Sequence, residues 1–247
     1  IKNKNVRKLA SEISSKFYNK KPNNLIAITG TNGKSSIADF YFQILKNNKI
    51  NAASIGTLGI KTKKNKKQTI NTTLDPVTIN KTLFSIFKKK IKNTILEASS
   101  HGLKQHRLDG IKFDISIFTN LSRDHLDYHK TYKDYLNSKL ILFNKLTKKS
   151  GFIIYDNDIP QSKILKKICY KKKIKSITIG TKNSDLIVNK HEYDGDFQKV
   201  EIEFNKKKYL FSTSLIGKIQ IKNLLLSILA ANKSKIKFEK IIKSIEK

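Results

Sequence analysis

Apolar residues recur at helical spacing over residues 6–18, VRKLASEISSKFY, and predict a helix. KPNN at 21–24 breaks it. LIAIT at 25–29 is a short unbroken apolar run, the pattern of a strand buried on both faces. Residues 35–47 return to the helical period through Ile37, Phe40, Tyr41, Ile44 and Leu45. Strand, glycine-bearing turn and helix make the first half of a βαβ unit. The alternation continues. NAASIGT, NTILEAS, FDISIFTN, GFIIYD and KSITIG read as strands. Helices are predicted at TINKTLFSIFKKK after Pro76, at YKDYLNSKLILFNKL and at IPQSKILKKIC.

Such alternation predicts the α/β class: a mostly parallel open sheet flanked by helices. After Thr181 the texture changes. DLIVNKHEYD, FQKVEIEFN and KKYLFSTSLI predict a smaller antiparallel β section near the C-terminal part. IQIKNLLLSILAAN (219–232) and KFEKIIKSIEK (237–247) predict closing helices. KTKKNKKQ, 61–68, reads as a mobile polar loop.

Composition changes this picture little. The chain has 247 residues and 38% hydrophobic residues, enough for a sizeable core. No apolar stretch is long enough for a membrane span, and the first residues carry no signal-peptide pattern. A single cysteine, Cys169, excludes an internal disulfide and agrees with a reducing, cytoplasmic setting. Residue 1 is isoleucine, so a fragment of a longer chain is expected. The net charge of +32 suggests nucleic acid, yet of 51 basic residues only Arg7, Arg107 and Arg123 are arginine. The lysines fall in scattered runs without interleaved aromatics, which reads as solvated surface. No nucleic-acid partner and no membrane partner are expected.

The informative residues are the scarce ones. Two of the three arginines and four of the five histidines lie between His101 and His129. AITGTNGKSSIAD, 27–39, places glycines, Lys34 and Ser35 between strand and helix. A turn of that kind exposes successive N–H groups beside a helix start and suits phosphates. Lys34 would reach the terminal phosphates, and Ser35 would offer its hydroxyl to Mg2+. Ile28 stands where the full P-loop pattern has its first glycine, so only GxxGKS is matched. Glu97 ends a predicted buried strand, where open α/β sheets bind ligands. It could hold a cation or be satisfied by a helix start. In TNLSRDHLDYH, 119–129, spacing leaves a metal site and a structural polar loop equally open.

Taken together, TGTNGKSS, NTTLDP (71–76), EASSHGLKQHRLDG (97–110), TNLSRDHLDYH, YLNSK (135–139) and GKIQIKNLLLSILAA (217–231) resemble the central domain of the Mur ligases. They stand in family order, and SSHGLxQHR with NLSRDHLDYH is similar to the MurE type. The resemblance implies an ATP-dependent amide ligase of peptidoglycan precursor synthesis, active as a monomer. Its partners would be UDP-N-acetylmuramoyl-L-alanyl-D-glutamate and a diamino acid, diaminopimelate or lysine. Gly30, Thr31, Asn32, Gly33, Lys34, Ser35 and Ser36 would bind the ATP phosphates, and Asn223 would lie near the adenine. Ser35, Glu97, His125 and a CO2-derived carbamate on Lys139 would hold Mg2+. Lys34, His125 and Lys139 would serve the chemistry. Asn71, Thr72, Thr73, Ser99, Gln105 and Arg107 would bind the UDP-muramoyl peptide.

On residues alone, Lys139 is one lysine on a predicted helix, with a solvated side chain as its plain reading. His101, His106 and His129 read as structural, and Cys169 as core. Ala27, Ser35 and Gln220 depart from the family pattern, and Gln220 weakens the adenine contact. The resemblance divides the chain into 1–22, a leading helix and linker from a further N-terminal domain, 23–232, the ATP-binding domain, and 233–247, a helix leading to a third domain. Other ligases of the Mur and folylpolyglutamate superfamily, and P-loop NTPases, share the P-loop and remain alternatives.

Overall fold

The structure is a computed structural model that describes residues 5–245. In chain order it runs α1 (Val6–Phe17), β1 (Asn24–Thr29), α2 (Lys34–Asn47), β2 (Ala52–Gly56), β3 (Gly59–Thr62) and β4 (Lys66–Lys67). Next come α3 (Pro76–Lys88), β5 (Asn93–Glu97), α4 (Ser100–Lys104), β6 (Phe113–Phe118), α5 (Leu126–His129) and α6 (Tyr132–Ile141). Then follow β7 (Thr147–Asp156), α7 (Ser162–Lys172), β8 (Lys175–Gly180), β9 (Leu186–Asp194), β10 (Phe197–Phe204), β11 (Lys207–Thr213), α8 (Lys218–Lys233) and α9 (Phe238–Ile245). The last two residues of the predicted closing helix, 246–247, and the first four of the leading segment lie outside the described residues.

Among the described residues the strands form one sheet, in the order β11-β10-β9-β8-β7-β6-β1-β5-β2-β3-β4. Pairing is parallel from β2 through β5, β1, β6, β7 and β8 to β9. The antiparallel section β9–β11 continues this sheet, because β9 docks beside β8 through Ile179↔Leu186 and Gly180↔Ile187. The centre of the sheet is buried on both faces. In β1, Ile26 and Ile28 join one apolar cluster with α2, α8 and α9. Leu25 and Ala27 join the other, with α3, α7 and Phe143. This explains the unbroken apolar run of β1, since neither face meets water. Cys169 lies in the second cluster.

The structure corrects the sequence reading in several places. The polar stretch 61–68 holds the end of β3 and all of β4, antiparallel to each other. Lys63, Lys64, Lys66 and Lys67 are exposed on this edge hairpin, where charge is favoured and hydrophobic periodicity is lost, while Lys61 pairs with Asp39 at 2.6 Å. The helix predicted to 146 stops being α-helical at Ile141 and closes in a π-helical turn, Leu142–Leu146. That turn buries Leu142, Phe143 and Leu146. The strand after it begins at Thr147, four residues before Gly151. The short helices α4 and α5 carry too few residues to show a period. No helix among the described residues is long and apolar enough to cross a membrane.

Candidate functional site

The turn between β1 and α2 is shaped by contacts that admit only glycine. A Cβ on Gly30, at φ +150, would lie 1.8 Å from Thr119 Oγ1. A Cβ on Gly33, at φ +85, would lie 2.4 Å from Asn223 Oδ1. The turn is also tied to the end of β6. Thr31 N–H donates to Asn120 O (2.9 Å). Asn32 N–H donates to Asn120 Oδ1 (3.0 Å), and Thr119 Oγ1 donates to Asn32 O (2.6 Å). Thr31 Oγ1 lies 3.1 Å from Tyr135 Oη on α6.

Two lysines converge on this turn. Lys34 Nζ donates to Gly30 O (2.9 Å) and Thr31 O (2.7 Å). Lys139 Nζ donates to the same Gly30 O at 2.7 Å. Lys139 is 1% exposed, which overturns its plain reading as a solvated side chain. It sits 4.2 Å from the Tyr135 ring centroid. Burial pulls the Lys139 pKa down to about 6, and the nearby Lys34 charge pushes the same way, against Asp124. Burial also lowers Lys34, opposed by Glu97 and Asp124.

Glu97 closes β5 with a buried carboxylate. Ser35 Oγ donates to its Oε2 at 3.0 Å. Thr57, just past β2, donates its N–H to Oε1 (2.9 Å) and its hydroxyl to Oε2 (3.1 Å). Among the described residues no group of three or more His, Cys, Asp or Glu side chains could form a metal cage. Two hard oxygen donors, Ser35 and Glu97, fit magnesium, which takes one or two carboxylates and fills its shell with phosphate and water oxygens.

The predicted peptide-binding residues form a contiguous second set. Thr73 Oγ1 donates to the Glu97 carbonyl (3.0 Å) and contacts Ser99 Oγ (3.0 Å). Ser99 caps α4 by accepting from Gly102 N–H. Arg107 donates to Thr73 O (2.6 Å) and twice to Gln105 Oε1 (3.0 and 2.7 Å). Gln105 Nε2 donates to Tyr128 Oη (3.2 Å). Thr72 Oγ1 lies 3.0 Å from Thr57 Oγ1, and Asn71 is exposed beside it on the same loop.

His125 is less closely joined. It is exposed, at φ 52, and its Nε2 lies 3.4 Å from its neighbour Asp124 Oδ2. Its ring packs 5.0 Å from His101 and 6.2 Å from Tyr135, beside the Lys139 helix. His129 is structural: fully buried, it contacts Ser100 Oγ (2.9 Å) and Ser138 Oγ (3.3 Å). His106 contacts Asp109 Oδ2 at 2.9 Å. Burial lowers the pKa of both His101 and His129.

Cavities flank the turn. One of about 310 Å³ is lined by Asn32, Asn120, Lys222 and Asn223. An open one of about 620 Å³ is lined by Ser35, Ser36, Phe40, Ile216 and Gln220. Thr57, Thr119, Asn120 and Tyr128 escaped the sequence reading. Thr119, Asn120 and Tyr128 lie within TNLSRDHLDYH, which could have flagged them. Nothing in SIGTLG singles out Thr57.

The chain is similar to known proteins over most of its length. The model of the Mur ligase middle domain matches residues 28–231. A UDP-N-acetylmuramoyl-L-alanyl-D-glutamate–2,6-diaminopimelate ligase of Rickettsia montanensis is 38% identical over 247 residues, covering 98% of this chain and 51% of that protein. The protein of the same name from Rickettsia conorii is 39% identical over 234 residues, covering 93% and 48%. A solved structure of a ligase of that name superposes with a TM-score of 0.87 at 27% identity, covering 98% of this chain and 50% of that one. The chain thus spans about half the length of the curated relatives it matches. A match over that span, on an α/β sheet with the glycine turn of Gly30 and Gly33 at its centre, makes this chain a member of the Mur ligase family, carrying the family's middle domain.

Proposed function

We propose that the protein is an ATP-dependent amide ligase of the MurE type in peptidoglycan precursor synthesis. Its substrates would be UDP-N-acetylmuramoyl-L-alanyl-D-glutamate and a diamino acid, diaminopimelate in the names of its relatives. The observation that carries this reading is one continuous hydrogen-bonded set. It runs from the P-loop through Ser35 and Glu97 to Thr73, Ser99 and Arg107. On this reading the triphosphate site and the Arg107 guanidinium would share a wall.

The chemistry follows from that juxtaposition. A carboxylate oxygen of the D-glutamate attacks the terminal phosphorus of ATP, and ADP leaves. The amine of the diamino acid then attacks the acyl carbon, phosphate leaves, and the nitrogen loses a proton. Two anions must meet in the first step, so cations must offset their repulsion. Lys34, already turned onto the P-loop carbonyls, is the cation placed to exchange those contacts for phosphate oxygens. The Arg107 fork suits a carboxylate or phosphate of the peptide substrate. Magnesium, which Ser35 and Glu97 would hold and to which His125 is proposed as a further ligand, would supply charge neutralisation at the phosphates. Lys139 is proposed to add to CO2 through its neutral amine, losing one proton and becoming an anionic carbamate that would supply a further oxygen ligand for the cation. Its low pKa provides the reactive neutral form.

Residues 23–232 are proposed as the ATP-binding domain, with 1–22 and 233–247 as connections to further domains. Asn223 and the cavity beside it would receive the adenine. These 247 residues alone are then expected to bind nucleotide without forming amide, because domain closure completes the site. Amide formation by this chain alone would overturn that division. The activity itself is tested on the protein at its natural length, by phosphate release from ATP. Release should require both the UDP-muramoyl dipeptide and a diamino acid. Release driven instead by nucleic acid or by a protein would refute the ligase reading.

A further inference from the structure

Thr57 joins the two halves of the site and belongs to neither set of expected residues. Its N–H and hydroxyl hold both oxygens of Glu97, at 2.9 and 3.1 Å. A hydroxyl carries one proton. With that proton given to the carboxylate, the 3.0 Å contact with Thr72 must run the other way, Thr72 donating to Thr57. The result is a directed chain, Thr72 to Thr57 to Glu97, meeting the Ser35 hydroxyl at the same Oε2. The loop carrying Thr72 is pinned on either side. Thr69 Oγ1 donates to Gly56 O, and Thr73 Oγ1 to Glu97 O, both at 3.0 Å. The end of β2 is cut to fit the carboxylate, since a Cβ on Gly56 would lie 2.1 Å from Glu97 Oε1.

We propose that Thr57 is a positioning residue that orients the Glu97 carboxylate for the cation and couples it to the peptide-binding loop 69–73. This rests on the ligase reading of the site. One contact would leave the carboxylate free to swing, whereas the Thr57 N–H on Oε1 and its hydroxyl on Oε2 together fix the plane of the group and leave other lone pairs of Oε2 open to the cation. If peptide substrate draws on Thr72, the Thr57 hydroxyl turns with it, and the charge on Oε2 facing the cation changes. Coupling of this kind is reciprocal: the factor by which loop occupation changes cation affinity is the factor by which the cation changes loop occupation.

The test measures ADP affinity by calorimetry, with and without Mg2+, for the wild type, Thr57→Val and Thr57→Ser. Valine keeps the backbone donor and the shape but removes the hydroxyl. Thr57→Val should cut the Mg2+-dependent gain in ADP affinity about tenfold, the scale of a hydrogen bond to a charged group. Its Mg2+-free affinity should stay unchanged, and Thr57→Ser should restore the gain. In the wild type, UDP-muramoyl dipeptide should strengthen Mg2+-dependent ADP binding, and Thr57→Val and Thr72→Val should each abolish that effect. A full Mg2+ gain in Thr57→Val, or an equal loss with and without Mg2+, overturns the proposal alone. A wild type that binds no ADP overturns the ligase reading as well.

Discussion

Replacing Lys139 by methionine asks whether the folded protein holds its buried amine neutral. Burial and Lys34 bring the folded pKa from 10.5 down to about 6, while the unfolded lysine keeps roughly 10.4. Below the folded value both states carry the proton, and the full cost of burying a cation is present. Above the unfolded value both are neutral, and that cost is gone. Between the two, the unfolded state binds the extra proton, so stability rises with pH. At about pH 7.5, roughly three pH units below the unfolded value, folding must expel a proton at a cost of up to about 4 kcal/mol. Methionine of similar length avoids that cost. It orphans no carbonyl, because Gly30 O keeps the Lys34 donor at 2.9 Å. Urea unfolding in CO2-free buffer should show Lys139→Met more stable by about 2 to 4 kcal/mol near neutral pH. The advantage should shrink as pH rises. If the proposed carbamate forms, bicarbonate should then stabilise the wild type and leave the variant unmoved, because near neutral pH the neutral amine that adds CO2 prevails only in the folded lysine. A variant that is less stable at every pH, by a constant amount, would refute the neutral amine.

Other substitutions probe the frame. Gly30→Ala should cost about 3 kcal/mol or more in denaturant unfolding and abolish ADP binding, since its Cβ has no room beside Thr119. Asp75→Ala removes the side chain that accepts from Val77 and Thr78 N–H, both at 3.0 Å, at the start of α3. It should lose about 1 kcal/mol and leave ADP affinity intact. Arg107→Lys replaces a fork that grips Thr73 and Gln105. It should raise the KM for the UDP-muramoyl dipeptide about tenfold, with ADP affinity unchanged; an equal loss of ADP affinity would place Arg107 with the nucleotide instead.

Much of the fold was legible because the parallel strands are buried on both faces, so runs such as Leu25–Thr29 stand out from the amphipathic helices between them. The edge hairpin of β3 and β4 was not, because its lysines carry no apolar alternation. The turn between β1 and α2 was legible from Gly30 and Gly33, which close backbone and side-chain approaches require. Burial of Lys139 was not legible from spacing. It depends on α6 packing against α4 and on Tyr135 beneath the amine, which are tertiary facts. Thr57 was invisible for the same reason: its contact with Glu97 comes from β2 lying beside β5, so that it reaches across 40 positions of chain.

The most direct measurement is a crystal structure of the protein with a non-hydrolysable ATP analogue and Mg2+. The phosphates should lie along Thr29–Ser36, with Lys34 turned from Gly30 O to a phosphate oxygen and the cation touching Ser35 and Glu97. Nucleotide bound away from that turn, or a cation remote from Glu97, would contradict the site described above.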